Sequence, residues 1–121
     1  MKTSYHRIEA HVTKDGSVIR ELMHPKLHGQ AHISLAEAII PGGSATMLHR
    51  HRQSEEIYHI TTGIGIMTLG TEQFTIAPGD TVFIAPGTPH QVRNAHSDPL
   101  KILCCCAPAY SHDDTELLAE G

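Results

Sequence analysis

Polar and apolar residues alternate in short runs along most of this chain, and clusters of Gly, Pro, Asp and Asn separate the runs. An alternation of period two marks a strand with one buried face. Ile8 to Val12 and Ser17 to Leu22 flank Lys14-Asp15-Gly16, a hairpin signal. Met23 to Gly29 reads as a loop containing His and Pro. Gln30 to Ile40 reads as a strand ended by Pro41-Gly42-Gly43, although Ser34 to Ala38 would also pass for a helical turn. Beyond it, Ala45, Met47, His49 and His51 fall on one face, and Thr46, Leu48, Arg50 and Arg52 on the other. Arg52 to Glu55 connects to a strand on which Glu56, Tyr58 and Ile60 alternate. Further strands are predicted at Ile64 to Leu69, Gln73 to Ile76, Thr81 to Ile84, His90 to Asn94 and Leu100 to Cys106. The tail from Ala107 to Gly121 is acidic in part, and Leu117-Leu118 would dock a short helical end. Short strands at regular turn spacing predict an all-β, antiparallel sandwich or barrel, and no composition shift divides residues 1–121 into more than one domain.

Composition narrows the core and the partners. Trp is absent, with 3 Tyr and 2 Phe, so the core must be aliphatic. A net charge of -4 argues against nucleic acid as the main partner and supplies no polybasic anchor for a membrane. The longest apolar run, Ile102 to Ala109, falls far short of the roughly 20 residues that span a bilayer. The opening residues carry no apolar leader segment, and three cysteines suit a reducing compartment, so a cytoplasmic protein is expected.

Eleven histidines are the outlier. His6, His11, His24, His28 and His112 lie in polar or turn-like stretches and read as solvated. His49 and His51 differ, because H-x-H on a strand projects two imidazoles from one face, about 6–7 Å apart at Cα. Glu56 on the next strand adds an oxygen donor, and His90 in the later Gly-Pro-rich stretch is the fourth candidate ligand. Glu55 has the wrong parity. Met47 and Tyr58 share the parity of the ligands and are expected to line the same interior, with Tyr58 the candidate proton donor to a substrate. Cys104 and Cys106 share a face on the last long strand. They read first as small apolar filler, with Cys104 facing the pocket. Gln53, in the loop between the ligand strands, is a lesser candidate for orienting a ligand.

Two stretches together resemble the cupin superfamily. Gly43, His49, His51, Glu56 and Gly63 fit its first motif, G-x5-H-x-H-x(3 or 4)-E-x6-G, over residues 43–63. Gly79, Gly87, His90 and Asn94 fit the second, G-x5-P-x-G-x2-H-x3-N, over residues 79–94, with Ala85 standing where the family usually has Pro. The resemblance implies a small jelly-roll β-barrel and a metal cage of His49, His51, Glu56 and His90. It implies one divalent transition metal, Fe, Mn, Ni or Zn, with open positions for a small-molecule ligand.

Cupins of this size include dioxygenases, isomerases, decarboxylases and lyases as well as binding modules. The expected function is therefore that of a metal-dependent enzyme acting on a small oxygenated or sugar-like substrate. The alternative is a non-catalytic metal-dependent binding module. Small cupins often pair through their outer strands, so a homodimer is expected, with Leu48 and His59 facing outward.

Overall fold

The computed structural model describes residues 1–29 and 32–119. Among the described residues, eleven strands form two antiparallel sheets that face each other across an aliphatic core. They are β1 (His11–Val12), β2 (Val18–Met23), β3 (Ser34–Ile40), β4 (His49–His51), β5 (Glu55–Thr62), β6 (Gly65–Leu69), β7 (Glu72–Ile76), β8 (Thr81–Ile84), β9 (His90–Arg93), β10 (Leu100–Ala107) and β11 (Thr115–Leu117). One sheet has the order β1-β2-β3-β10-β5-β8, and the other β11-β4-β9-β6-β7. The expected all-β jelly-roll barrel is what the chain forms. Gln30 and Ala31, at the start of the strand anticipated over 30–40, lie outside the described residues, as do Glu120 and Gly121.

Alternation explains the layering. On β10 every second residue, from Leu100 to Cys106, is buried, and on β5 the buried set is Glu56, Tyr58 and Ile60. Ile40, Ile60, Met67, Ile76, Ile84, Val92, Leu100 and Ile102 are almost fully excluded from solvent. At about 25 cal/mol per Å² of apolar surface, burial of such side chains is the main favourable term for the fold. Asn94, 1% exposed, ties the barrel end together: its amide donates to the carbonyls of Ile40 and Asp98. At the end of β5, Gly63 has φ +86, and a Cβ there would sit 2.5 Å from the Pro99 carbonyl oxygen.

Three local expectations are corrected. The stretch 23–29 contains a short helix, α1 (Pro25–His28), because His24 caps its start, Pro25 opens it and Gly29 closes it in the left-handed conformation. His24 is consequently buried rather than solvated, with Nε2 2.8 Å from the Tyr110 carbonyl. The regular alternation anticipated from Ala45 to Arg52 fails in its first half. Thr46 turns inward, its N–H bonded to the Val92 carbonyl and its Oγ1 accepting from the Val92 N–H. That slips the phase and leaves Met47 52% exposed, so Met47 does not line the interior.

The tail is also a strand where a helical end was anticipated. Thr115 pairs with His51 and Leu117 with His49, making β11 the edge of the smaller sheet beside β4. Asp114 fixes this arrangement by accepting from the N–H groups of Gln53 and Ser54, at 2.9 and 3.0 Å. Among the described residues no helix is long and apolar enough to cross a membrane.

Candidate metal centre

The two sheets bring residues from three strands to one buried point. β4 supplies His49 and His51, β9 supplies His90 opposite His49, and β5 of the facing sheet supplies Glu56. Relative exposures of His49, His51, His90 and Glu56 are 3%, 4%, 0% and 5%. The ligand nitrogens of His49, His51 and His90 lie within 4.8 Å of one another, so the three could hold a metal ion. Glu56 Oε1 approaches His51 Nε2 at 3.2 Å and His90 Nε2 at 3.6 Å.

Hydrogen bonds at the far side of each ring decide which nitrogen faces the interior. His49 Nδ1 lies 2.8 Å from the Met47 carbonyl and His90 Nδ1 2.9 Å from that of Thr88. A carbonyl only accepts, so both Nδ1 atoms carry the proton and both Nε2 atoms present lone pairs. His51 Nδ1 is 3.0 Å from Thr115 Oγ1, and that hydroxyl spends its own proton on the Ser111 carbonyl at 2.8 Å. His51 therefore donates as well, and its Nε2 is a third inward lone pair.

Glu56 is oriented in the same way. The Cys106 thiol donates to Oε2 at 3.1 Å, leaving Oε1 toward the imidazoles. Oε1 and His90 Nε2 are buried with no hydrogen-bond partner among the described residues. Burial, with His90 alongside, lowers His49 to about 4, despite the opposing pull of Asp15. This favours the neutral imidazole of His49, the form that binds a cation, at neutral pH.

Sequence reasoning singles out these four residues, and the fold brings them together. Tyr58 and Cys104 face the same pocket, as their parity predicts; burial drives the Tyr58 hydroxyl well above its ordinary value of 10.0, which keeps it protonated. Met47 is on the outside, and exposed Gln53 meets the tail through its backbone N–H rather than the cage. His59 faces outward and bonds Thr81 at 2.8 Å.

Four neighbours of the cage escape the sequence reading: Asp15, Glu21, Thr115 and the thiol of Cys106 in its polar role. Asp15 reads as a turn residue of an Asp-Gly hairpin, yet the hairpin folds against β4 and places Oδ2 3.6 Å from His49 Nε2. Nothing local in the sequence marks that long-range contact. The strand periodicity around Glu21 is visible, but not which face of β2 closes the barrel.

Comparison with known proteins bears on this arrangement. The cupin domain family profile matches residues 36–106, a span that includes all four cage residues. An uncharacterised protein of Methanocaldococcus jannaschii is 55% identical over 118 residues, covering 98% of this chain and 94% of its own. An oxalate-binding protein of Thermotoga maritima is 32% identical over 77 residues, 64% of this chain and 63% of that protein. Among solved structures, the polyketide cyclase RemF of Streptomyces resistomycificus superposes with a TM-score of 0.84 at 16% identity, covering 100% of this chain and 87% of that one. A predicted oxalate decarboxylase of Thermotoga maritima gives 0.78 at 22% identity, covering 89% and 99%. These low identities speak to the fold, and the profile match with the 55% relative speaks to descent. The chain belongs to the cupin family.

Proposed function

We propose that His49, His51, Glu56 and His90 hold one divalent transition metal, and that the protein is a metal-dependent enzyme for a small oxygenated molecule. One observation carries the metal: Glu56 Oε1 faces inward Nε2 lone pairs at 3.2 and 3.6 Å. Acceptors so placed repel one another unless a metal ion or a proton stands between them, and three imidazole nitrogens within 4.8 Å of one another suit the metal. The nitrogen-and-oxygen donor set suits Fe, Mn, Ni or Zn. When bound, such an ion supplies Lewis acidity toward a carbonyl or enolate oxygen. The chain's own residues do the rest. Thr115, Met47 and Thr88 fix the imidazole tautomers, Cys106 fixes the Glu56 carboxylate, and the Tyr58 hydroxyl serves as a proton donor facing the pocket.

Elemental analysis of tag-free protein, made in metal-balanced medium, tests this. About one ion per chain is expected. Protein that stays metal-free after reconstitution with all four metals would end the metal reading. The second reading, a binding module without turnover, draws support from the relative that is an oxalate-binding protein. Product analysis by mass spectrometry separates the two, since an enzyme returns a different compound.

We also infer a homodimer in the cytoplasm. Three free cysteines, two of them buried, suit a reducing compartment. Across the outer face of the six-stranded sheet, Leu35, Cys105, Ile57 and Phe83 stand in register on neighbouring strands. Leu35, Ile57 and Phe83 are 37%, 43% and 56% exposed, and a second copy would cover them. This row is a better contact than Leu48, which is half-buried. Light scattering should give a dimer mass, and Phe83→Asp should shift it to the monomer. A monomer in the unsubstituted protein would refute the pairing.

A further inference from the structure

A pocket opens in front of the cage. The β1–β2 hairpin and β2 form one of its walls. From there Asp15 and Glu21 face it, and with Glu56 they make three acidic side chains in the lining. No Lys or Arg is among the described residues that line it. Of the histidines whose charge reaches Glu21, namely His24, His11 and His28, none lines the pocket.

The two acids each keep one oxygen free for a ligand. Asp15 Oδ1 is saturated: the Thr13 hydroxyl, the Ser17 N–H and the Ser17 hydroxyl donate to it at 3.0, 2.9 and 2.7 Å. That clamp fixes the carboxylate and turns Oδ2 toward His49 Nε2, which at 3.6 Å is beyond hydrogen-bonding range. Glu21 Oε2 is buried and has no hydrogen-bond partner among the described residues. A buried acceptor such as Glu21 Oε2, left unmatched by the protein, calls for a donor on whatever enters, and Asp15 Oδ2 stands beside it as a second acceptor in the lining.

We propose that Asp15 and Glu21 set the ligand class of this pocket, admitting an uncharged, hydroxyl-bearing molecule and excluding dicarboxylates such as oxalate. The inference rests on the metal site proposed above. A divalent ion would face the three carboxylates of Asp15, Glu21 and Glu56, which leaves no surplus positive charge to hold an anion, and an ammonium group has no lone pair to offer the ion. What remains is a neutral polyol or hydroxycarbonyl, whose hydroxyls donate to Asp15 Oδ2 and Glu21 Oε2 while an oxygen faces the cage. The fold is shared with proteins that act on or bind oxalate.

The test uses protein reconstituted with Mn(II), its metal content measured first, and water-proton relaxation as the binding readout. The probes are 1,3-dihydroxyacetone, uncharged with two hydroxyls, and oxalate. The unsubstituted protein should prefer dihydroxyacetone. In the double variant Asp15→Asn, Glu21→Gln, oxalate should bind at least about tenfold more tightly than in the parent, and dihydroxyacetone more weakly. The Asp15→Asn change conserves shape, because the amide carbonyl can still accept from Thr13 and Ser17. A parent that prefers oxalate, or equal oxalate binding by two metal-loaded proteins, overturns the proposal. The parent's preference is read without any variant, so misfolding of the double variant does not hide the answer. Failure of the parent to take Mn(II) or any of the other three metals overturns the metal reading itself, a result distinguishable from the others by the metal analysis.

Discussion

His90→Ala is expected to lower metal occupancy by at least about tenfold and to abolish the stabilisation that metal confers. His90 is 0% exposed, and its Nε2 is one of two buried cage atoms without a hydrogen-bond partner among the described residues. Its ring lies 4.2 Å from that of His49 and 5.4 Å from that of His51, so no neighbouring side chain can move into its place without crowding them. Loss of the ring also leaves Glu56 Oε1 with His51 alone as a close imidazole. Thermal unfolding separates a lost ligand from lost packing. Chelation should lower the midpoint of the parent and leave that of His90→Ala unchanged. A ligand at 100 times its dissociation constant contributes about 2.7 kcal/mol, a difference such scans resolve. If the variant keeps its metal and its response to chelator, His90 is core filling and the four-residue cage is wrong.

The cage is legible in the sequence because its signals are local or of fixed spacing. H-x-H needs only a strand to aim two rings the same way, and β4 is a strand for just those three residues. Just upstream the same parity argument fails at Met47, since Thr46 is drawn inward by bonds to Val92, a residue 46 positions away. Period two holds where strand pairing is continuous. β10 has neighbours along its whole length and alternates without a break, whereas the chain before β4 has a single bridge, Ala45 to Arg93.

Other features depend on chain folded from far away, and these are not legible. Asp15 sits in a turn whose sequence asks only for an Asp-Gly hairpin, and its place in the pocket comes from the bond between Met47 N–H and its own carbonyl. The tail reads as a helical end because Leu117-Leu118 has no strand alternation. Its conformation is decided by the unpaired edge of β4, with which it forms β11, and by Asp114 gripping the β4–β5 loop. The consequence for function is direct. β11 carries Thr115, whose hydroxyl sets the His51 tautomer, so the C-terminal segment completes the surroundings of the cage.

Gly63→Ala should be far more damaging than Gly79→Ala, costing about 3 kcal/mol or more against about 1. Both glycines belong to the paired motifs and both have positive φ, +86 and +93. The conformational penalty is therefore similar. They differ in what a methyl group would meet. At Gly63 it would lie 2.5 Å from the Pro99 carbonyl oxygen and 2.9 Å from Leu100 Cα, backbone atoms that cannot swing aside. At Gly79 nothing lies within 4 Å. Relief at Gly63 requires β10 to retreat where it enters the sheet. Leu100, 0% exposed, would be carried with it, and the Lys101 to Thr62 pairing opened. Because β10 also bears Cys106, the strain would reach the Glu56 carboxylate along one strand. Thermal denaturation of the metal-free proteins checks this, with a midpoint loss for Gly63→Ala about three times that for Gly79→Ala. Equal losses at the two positions would mean that the left-handed backbone, and not the close approach of β5 and β10, is why glycine is required at 63.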